Sequence, residues 1–175
     1  TLYGEPRKLP MKETASGRPV SPYGISKKVG IDYLAFYERH HGIVFTALAL
    51  ANVYGPRQDP HGEAGVVAIF SERMLRGETP TIFGDGNQTR DYVFVDDTVH
   101  AFALAAEHGD GRLVNVGTGL ETSVNGLFRL VAEITAFTGQ PAQGPPRSGD
   151  LRRNALDPGL AAEVLSWQPW THLED

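Results

Sequence analysis

A tyrosine and a lysine stand four residues apart in the segment 21–27 (SPYGISK). On a helix, this spacing places the side chains of Tyr23 and Lys27 on one face, where both can contact one ligand. An ammonium group beside a phenol favours the phenolate, so such a pair can take up and return a proton near neutral pH. The alternative is a surface lysine beside a half-buried tyrosine, and the spacing alone is compatible with both.

Three further polar side chains stand where ligands commonly bind. Asn52 follows the apolar stretch 43–51 at its carboxyl end, which is the ligand-binding end of strands in open α/β sheets. Arg90 begins a second expected strand, and Arg147 lies in a Pro/Gly-rich loop. Two separate guanidinium groups suit a diphosphate, because each presents a planar fork of donors to anionic oxygens. The alternatives are local turn formation by Asn52 and ordinary surface positions for the arginines.

Composition excludes several classes of function. The chain has 175 residues and no cysteine, which excludes disulfides, thiolate metal sites and a cysteine nucleophile. With 16 basic and 21 acidic residues, the net charge is −5, and we expect neither a nucleic acid nor a membrane surface as partner. No apolar stretch is long enough to span a bilayer. In the absence of a leader-like segment we expect a cytoplasmic protein.

The remaining titratable residues do not suggest a metal site. The six histidines show no ligand spacing, so we expect no metal ion. Three aspartates, Asp91, Asp96 and Asp97, stand close together. We interpret them as helix-capping residues and as partners of Arg90 rather than as metal ligands.

The elements that position these residues alternate between strands and helices. Ser21 and Pro22 predict a helix start and Gly42 its end, and the apolar stretch 43–51 predicts a strand buried on both faces. Strands separated by helices predict an α/β fold containing part of a doubly wound parallel sheet. We expect further strands at 81–83, 90–95 and 113–116, helices at 66–76, 96–107, 123–137 and 157–165, and loops at 1–21, 52–65 and 139–149.

Several segments together resemble the extended short-chain dehydrogenase/reductase family, specifically its NAD-dependent nucleotide-sugar epimerases and dehydratases. The resemblance implies a partial NAD-binding Rossmann sheet and a smaller α/β substrate-binding region. It assigns 1–60 and 96–138 to the dinucleotide-binding domain, and 61–95 and 139–175 to the region that binds the nucleotide sugar. The segments that carry it are 2–6 (LYGEP), 21–27, 52–58 (NVYGPRQ), 84–86 (GDG), 90–97 (RDYVFVDD), 115–119 (NVGTG) and 147–150 (RSGD).

The resemblance is greatest to UDP-glucose 4-epimerase-like members, and it implies a reaction and a site. A UDP-hexose would be oxidised at C4 to a 4-keto intermediate and reduced from the opposite face, with NAD as cofactor. Tyr23 and Lys27 would be catalytic and bind NAD, and Leu50 and Val53 would lie beside the nicotinamide. The helix that carries Tyr23 would pack against its copy in a homodimer. The expected substrate-binding residues are Asn52, Val66, Val67, Thr81, Phe83, Arg90, Arg147 and Asp150.

The sequence departs from the family pattern in two respects. The glycine-rich phosphate turn and the catalytic Ser/Thr are not in it, so we expect this stretch alone neither to hold NAD tightly nor to turn over. Ala49-Leu50 replaces the family's Arg-aromatic pair, which alters the expected cofactor contacts. Thr1 stands where the dehydratases have an acidic residue, which favours epimerisation. Two alternatives remain, namely a dehydratase or reductase of the same family and a catalytically silent nucleotide-binding or dimerisation module.

Overall fold

The computed structural model describes residues 2–61, 65–147 and 149–175. Thr1, on which the distinction from dehydratases depends, therefore lies outside the described residues. The helices are α1 (Pro22–His41), α2 (Val66–Leu75), α3 (Val95–Ala105), α4 (Val124–Ile134) and α5 (Gly159–Leu165). The strands are β1 (Thr46–Leu50), β2 (Asn52–Tyr54), β3 (Thr81–Phe83), β4 (Thr89–Arg90), β5 (Tyr92–Phe94), β6 (Arg112–Val116), β7 (Thr122–Ser123) and β8 (Ala142–Gly144).

Parallel strand pairs form the centre of the fold. β1 pairs with β6 over its whole length, and the chain then passes directly into β2, which pairs with β5. At this junction Ala51 N donates to Val116 O, and Asn52 N donates to Asp91 O. β3 and β8 form another parallel pair, and β4 and β7 an antiparallel one. The expected α/β class with a partial Rossmann sheet is confirmed.

The strand boundaries differ from the expected ones at four places. The strand expected at 43–51 begins only at Thr46, and the loop expected from residue 52 begins with β2. The single strand expected at 90–95 is interrupted at Asp91, and β8 lies within the loop expected at 139–149. In each case a short strand forms because a distant segment supplies its backbone partner, which local patterning does not reveal.

Helix α1 has the capping that its sequence predicts. The Ser21 hydroxyl accepts a hydrogen bond from Gly24 N at 3.1 Å, and Pro22 occupies the first turn. At the other end, Gly42 has a φ of 66°, the left-handed conformation in which glycine is favoured. Tyr23 and Lys27 therefore lie in the first two turns of a helix whose start is fixed by local chemistry.

Helix α3 begins without the aspartate cap that the sequence suggested. Phe94 is its N-cap residue and makes no side-chain capping bond. Asp97 is instead fully buried, and its carboxylate accepts hydrogen bonds from the backbone N–H and the hydroxyl of Thr171, both at 3.2 Å. The Trp167 indole donates to Asp97 O at 2.8 Å. The interpretation of Asp97 as a cap was wrong, because this carboxylate ties the C-terminal segment to α3.

Two large apolar clusters hold the elements together. The first joins α2, α4, β3 and β5 through residues that include Phe70, Ile82 and Leu127. The second joins β5, β6, α3 and α5 around Val114 and Trp167. Both clusters combine ranges that the sequence placed in different domains, and the division by residue number stays a prediction. None of the described helices has the length and hydropathy needed to cross a bilayer.

Tyr92 gives a prediction about stability at alkaline pH. Its hydroxyl is buried without a hydrogen-bond partner among the described residues, and burial raises the pKa of Tyr92 to about 12. In the unfolded chain a tyrosine ionises at about pH 10, so between that pH and the folded pKa only the unfolded state loses this proton. The free energy of unfolding therefore falls as the pH rises through this range. We expect Tyr92→Phe to raise the free energy of unfolding by about 1 kcal/mol and to weaken this alkaline loss.

Urea unfolding followed below and above about pH 10 measures both effects. Tyr37→Phe is the matched control, because the Tyr37 side chain is exposed in the single chain and phenylalanine keeps its apolar ring. This substitution should leave both quantities unchanged. A loss of stability in Tyr92→Phe at neutral pH would contradict the prediction.

Candidate active site

Tyr23 and Lys27 line one cavity of about 510 Å³ between α1 and β1. The Lys27 ammonium lies 5.1 Å from the centroid of the Tyr23 ring. The Tyr23 side chain is 59% exposed, so a ligand in the cavity can contact it directly. We call this space the tyrosine–lysine cavity. The structure thus brings together a phenol and a cation, as the helical spacing predicted.

The opposite wall of this cavity is the carboxyl end of β1. Leu50 and Asn52 line it, so the structure brings these two expected site residues to Tyr23 and Lys27. Val53 does not line the cavity and packs against the second apolar cluster instead. The side-chain amide of Asn52 offers both a donor and an acceptor at the end of a parallel strand.

Two residues that the sequence analysis missed also line the tyrosine–lysine cavity. Asn154 is one of them, and its Oδ1 atom is buried without a hydrogen-bond partner among the described residues. Tyr3 is the other, and its hydroxyl donates to Asn115 Oδ1 at 2.6 Å. Burial raises the pKa of Tyr3 well above its usual value, so this hydroxyl remains a donor. No local pattern marks Asn154, since only the path of the chain after Asp150 brings it to the cavity.

A second cavity of about 620 Å³ lies beside the β3–β8 pair, and we call it the arginine cleft. Phe83, Arg147 and Asp150 line it. The Arg147 guanidinium carbon lies 4.1 Å from the centroid of the Phe83 ring. Gly144 leaves room for this ring, because a Cβ there would lie 2.7 Å from a ring atom. The cleft therefore combines a cation with an aromatic face.

Arg90 is held at the edge of this cleft by the segment that follows Arg147. Its guanidinium forms an ion pair with Asp150 and donates to Leu151 O at 2.8 Å. The expectation that Arg90 pairs with Asp91 was wrong, because Asp91 accepts all its side-chain hydrogen bonds from backbone N–H groups and a threonine hydroxyl. The side chains of neighbouring residues on an extended chain project to opposite sides, so the Arg90 guanidinium and the Asp91 carboxylate point away from each other.

The other charges around the cleft are largely neutralised in pairs. Arg152 binds Asp85 through two hydrogen bonds of 2.7 and 2.9 Å, and this guanidinium holds the pKa of Asp85 well below its usual range. Arg153 pairs with Glu121 nearby. Among the described residues, no carboxylate forms an ion pair with Arg147, which leaves its charge available to an anionic ligand.

The other expected binding residues lie outside both cavities. Thr81 shares β3 with Phe83, but its side chain does not line the cleft. Val66 and Val67 begin α2, and their side chains pack against the first apolar cluster. Their backbone N–H groups belong to the first turn of the helix, where such groups lack intrahelical partners. Among the described residues, no cluster of three His, Asp or Glu side chains is placed to hold a metal ion.

Comparison with known proteins identifies relatives of this chain. It is 51% identical over 176 residues to a UDP-glucose 4-epimerase of Mycolicibacterium smegmatis, a match that covers 100% of the chain and 56% of the relative. The structure of the UDP-glucose 4-epimerase of Thermotoga maritima with UDP-glucose superposes with a TM-score of 0.97, at 55% identity, covering 98% of this chain and 56% of that one. The chain thus spans about half the length of these relatives.

A second solved structure and a family model agree with this assignment. The UDP-glucose 4-epimerase of Thermus thermophilus in complex with NAD superposes with a TM-score of 0.89, at 42% identity, over 99% of this chain and 57% of that one. The model of the NAD dependent epimerase/dehydratase family matches residues 1–117. From this match and the high identity to its relatives, the chain belongs to the NAD-dependent epimerase/dehydratase family.

Proposed function

We propose that the protein carrying this chain epimerises a UDP-hexose at C4 with NAD as cofactor. The observation that carries the proposal is the placement of Tyr23 and Lys27 in one cavity at the carboxyl end of β1. A separate cleft with an available arginine and an aromatic ring lies in the same chain, which suits the nucleotide part of such a substrate. The similarity to UDP-glucose 4-epimerases over the whole chain supports it.

In this proposal Tyr23 moves the proton and Lys27 supports it. The Tyr23 phenolate takes the proton from the 4-hydroxyl of the sugar and returns it after the sugar has turned in the site. The Lys27 ammonium stabilises the phenolate through its charge and donates hydrogen bonds to a ribose hydroxyl of the cofactor. NAD, when bound, would supply the hydride acceptor and donor for the sugar carbon.

The residues present fit part of a dinucleotide site. The tyrosine–lysine cavity supplies a cation, the apolar side chain of Leu50 and the amide of Asn52 within one space. We assign the nicotinamide side of the cofactor to this cavity, with Val53 supporting the strand end from the core. The cofactor phosphates would need a glycine-rich turn, which the 175 residues do not contain.

We assign the nucleotide diphosphate to the arginine cleft. Arg147 has an available guanidinium for phosphate oxygens, and Phe83 offers a ring face to the base. Arg90 and Asp150 are already paired at the edge of the cleft, where they can contact the phosphate and the ribose. Thr81 and the backbone at Val66 and Val67 complete the proposed set, together with Asn52 in the tyrosine–lysine cavity.

We further propose a homodimer through α1. Tyr23, Lys27 and Ile31 line the cavity. A second, exposed apolar stripe lies on the opposite side of the helix and is formed by Ile25, Val29, Tyr33, Phe36 and Tyr37. An apolar stripe of this length on one helix is typical of a protein interface, and a second copy of α1 presents a matching surface. Sedimentation analysis at micromolar concentration should give the mass of two chains, and a monomer would contradict the proposal.

The reaction is tested by incubating the protein that carries this chain with NAD and UDP-galactose. We expect UDP-glucose as the product, identified by chromatography. Formation of a 4-keto-6-deoxy sugar from UDP-glucose would favour the dehydratase alternative instead. If UDP binds but neither product forms, the result would favour the other alternative, a catalytically silent nucleotide-binding module.

A further inference from the structure

Asp91 is a fully buried carboxylate between β4 and β5. One oxygen accepts hydrogen bonds from the Thr118 backbone N–H at 2.9 Å and from the Thr118 hydroxyl at 2.7 Å. The other accepts from Gly119 N at 3.1 Å and from Leu156 N at 3.0 Å. At Gly117, a Cβ would lie 2.6 Å from this second oxygen, so glycine is required there to admit the carboxylate.

The carboxylate is stabilised by these four donors and not by a cation. Among the described residues, no lysine, arginine or histidine forms an ion pair with Asp91. Burying a carboxylate is costly unless its oxygens are hydrogen-bonded. Three of the donors are backbone N–H groups, which cannot accept a hydrogen bond in return. Each carboxylate oxygen receives a hydrogen bond from at least one backbone N–H group, so both oxygens must be acceptors. An asparagine at this position, in either orientation of its amide, would place its NH₂ group opposite a backbone N–H donor.

One of the donors, Leu156, belongs to a segment that lines both cavities. Leu156 lines the tyrosine–lysine cavity, as does Asn154, while Asp150 and Arg152 line the arginine cleft. We call residues 150–156 the bridging segment. Arg90 holds its first residues through Asp150 and Leu151 O, and Asp91 holds its far end through Leu156 N.

Both ends of the bridging segment have attachments besides Arg90 and Asp91. At the far end, Met11 N donates to Ala155 O and Asp157 N donates to Met11 O, both at 2.8 Å. At the first end, the further attachments lie beside the arginine cleft. Thr89 N donates to Arg152 O at 3.0 Å, and Arg152 binds Asp85. Met11 holds Ala155 O and Asp157 N, whereas Leu156 N donates to Asp91. Loss of the Asp91 acceptor should therefore leave the arginine cleft in place and shift Leu156 in the wall of the tyrosine–lysine cavity. A small displacement at a reacting centre costs rate more than it costs binding of the remote nucleotide.

We infer that Asp91 is a positioning residue, which fixes the bridging segment so that a sugar held through its nucleotide in the arginine cleft reaches Tyr23. The inference rests on the proposed function, since it concerns the geometry of the same reaction. Asp91 contacts neither substrate nor cofactor in this role. It acts through Leu156 and through the Thr118–Gly119 loop.

Asp97 provides a matched control for the test. It is also a fully buried aspartate whose carboxylate accepts a backbone N–H and a threonine hydroxyl, but it holds the C-terminal segment at Thr171. Asp91→Asn and Asp97→Asn should both lower the thermal midpoint. For Asp91→Asn we expect kcat per UDP-binding site to fall by about tenfold or more, with the Kd for UDP within about threefold of the wild type. For Asp97→Asn we expect both quantities to stay at the wild-type values.

If the Asp91→Asn or Asp97→Asn protein does not fold, a milder pair of variants takes their place. Thr118→Val removes one donor to Asp91, and Thr171→Val removes one donor to Asp97. We expect kcat to fall by about threefold in Thr118→Val only. UDP binding is measured by calorimetry, so that each rate refers to folded sites.

The outcomes separate this inference from the proposed function. An active wild type whose Asp91 and Thr118 variants keep the kcat of their matched controls would overturn the inference and leave the function standing. A parallel rise in the Kd for UDP would also overturn it, because the cleft itself would then depend on Asp91. A wild type that binds UDP without epimerising would overturn the proposed function and this inference with it.

Discussion

Replacement of Tyr23 by phenylalanine is expected to lower kcat for C4 epimerisation by about 10²–10⁴-fold. The substitution removes the hydroxyl that takes the proton and leaves the ring, its contact with Lys27 and the capping of α1 unchanged. The arginine cleft is a separate cavity, so the Kd for UDP should remain that of the wild type. Initial rates with UDP-galactose and calorimetry with UDP measure the two quantities.

Tyr33→Phe is the matched control for this experiment. Tyr33 lies on the same helix, is 63% exposed and does not line the tyrosine–lysine cavity. Phenylalanine keeps the ring that Tyr33 contributes to the proposed dimer stripe, so this variant should retain the full rate. A Tyr23→Phe protein that epimerises within a factor of about three of this control would show that another group moves the proton.

Replacement of Trp167 by alanine is expected to cause the largest loss of stability of any single substitution considered. Trp167 is completely buried in the second apolar cluster, and its indole N–H donates to Asp97 O. Truncation leaves a large cavity and removes this hydrogen bond, and a loss of about 3–5 kcal/mol in the free energy of unfolding is typical of such a change. Urea unfolding followed by circular dichroism measures this loss.

The second tryptophan of the chain is the control. Trp170 is 54% exposed and stacks edge-on against His100 at the surface. Trp170→Ala should therefore change the free energy of unfolding by less than about 1 kcal/mol. Equal losses in the two variants would contradict the assignment of Trp167 to the core.

Local sequence was sufficient for the first helix and its pair of chemical groups. Ser21, Pro22 and Gly42 define the ends of α1 through hydrogen bonds and backbone preferences within a few residues. Helical periodicity then places Tyr23 and Lys27 on one face. Such features depend on neighbours in the chain, so the helix and the orientation of its two groups could be predicted without knowing the rest of the fold.

The partners of the buried aspartates could not be predicted in this way. Asp91 was expected to pair with Arg90 and Asp97 to cap α3, yet Asp91 binds Thr118 and Asp97 binds Thr171. A carboxylate is compatible with capping, ion pairing or a buried network, and the choice depends on which donors the fold brings to it. Those donors lie far away in sequence, where residue spacing carries no information about them.

The sequence by itself determined the fold class, the family resemblance and the residues Tyr23 and Lys27 as a chemical pair. Only the tertiary structure decided that Leu50, Asn52 and Asn154 share a cavity with this pair, and that Arg147 and Asp150 line a separate cleft. The physical reason is that helix caps and periodicity act over one or two turns. Cavities arise where segments far apart in the sequence pack together, and the free energy of that packing depends on the whole chain.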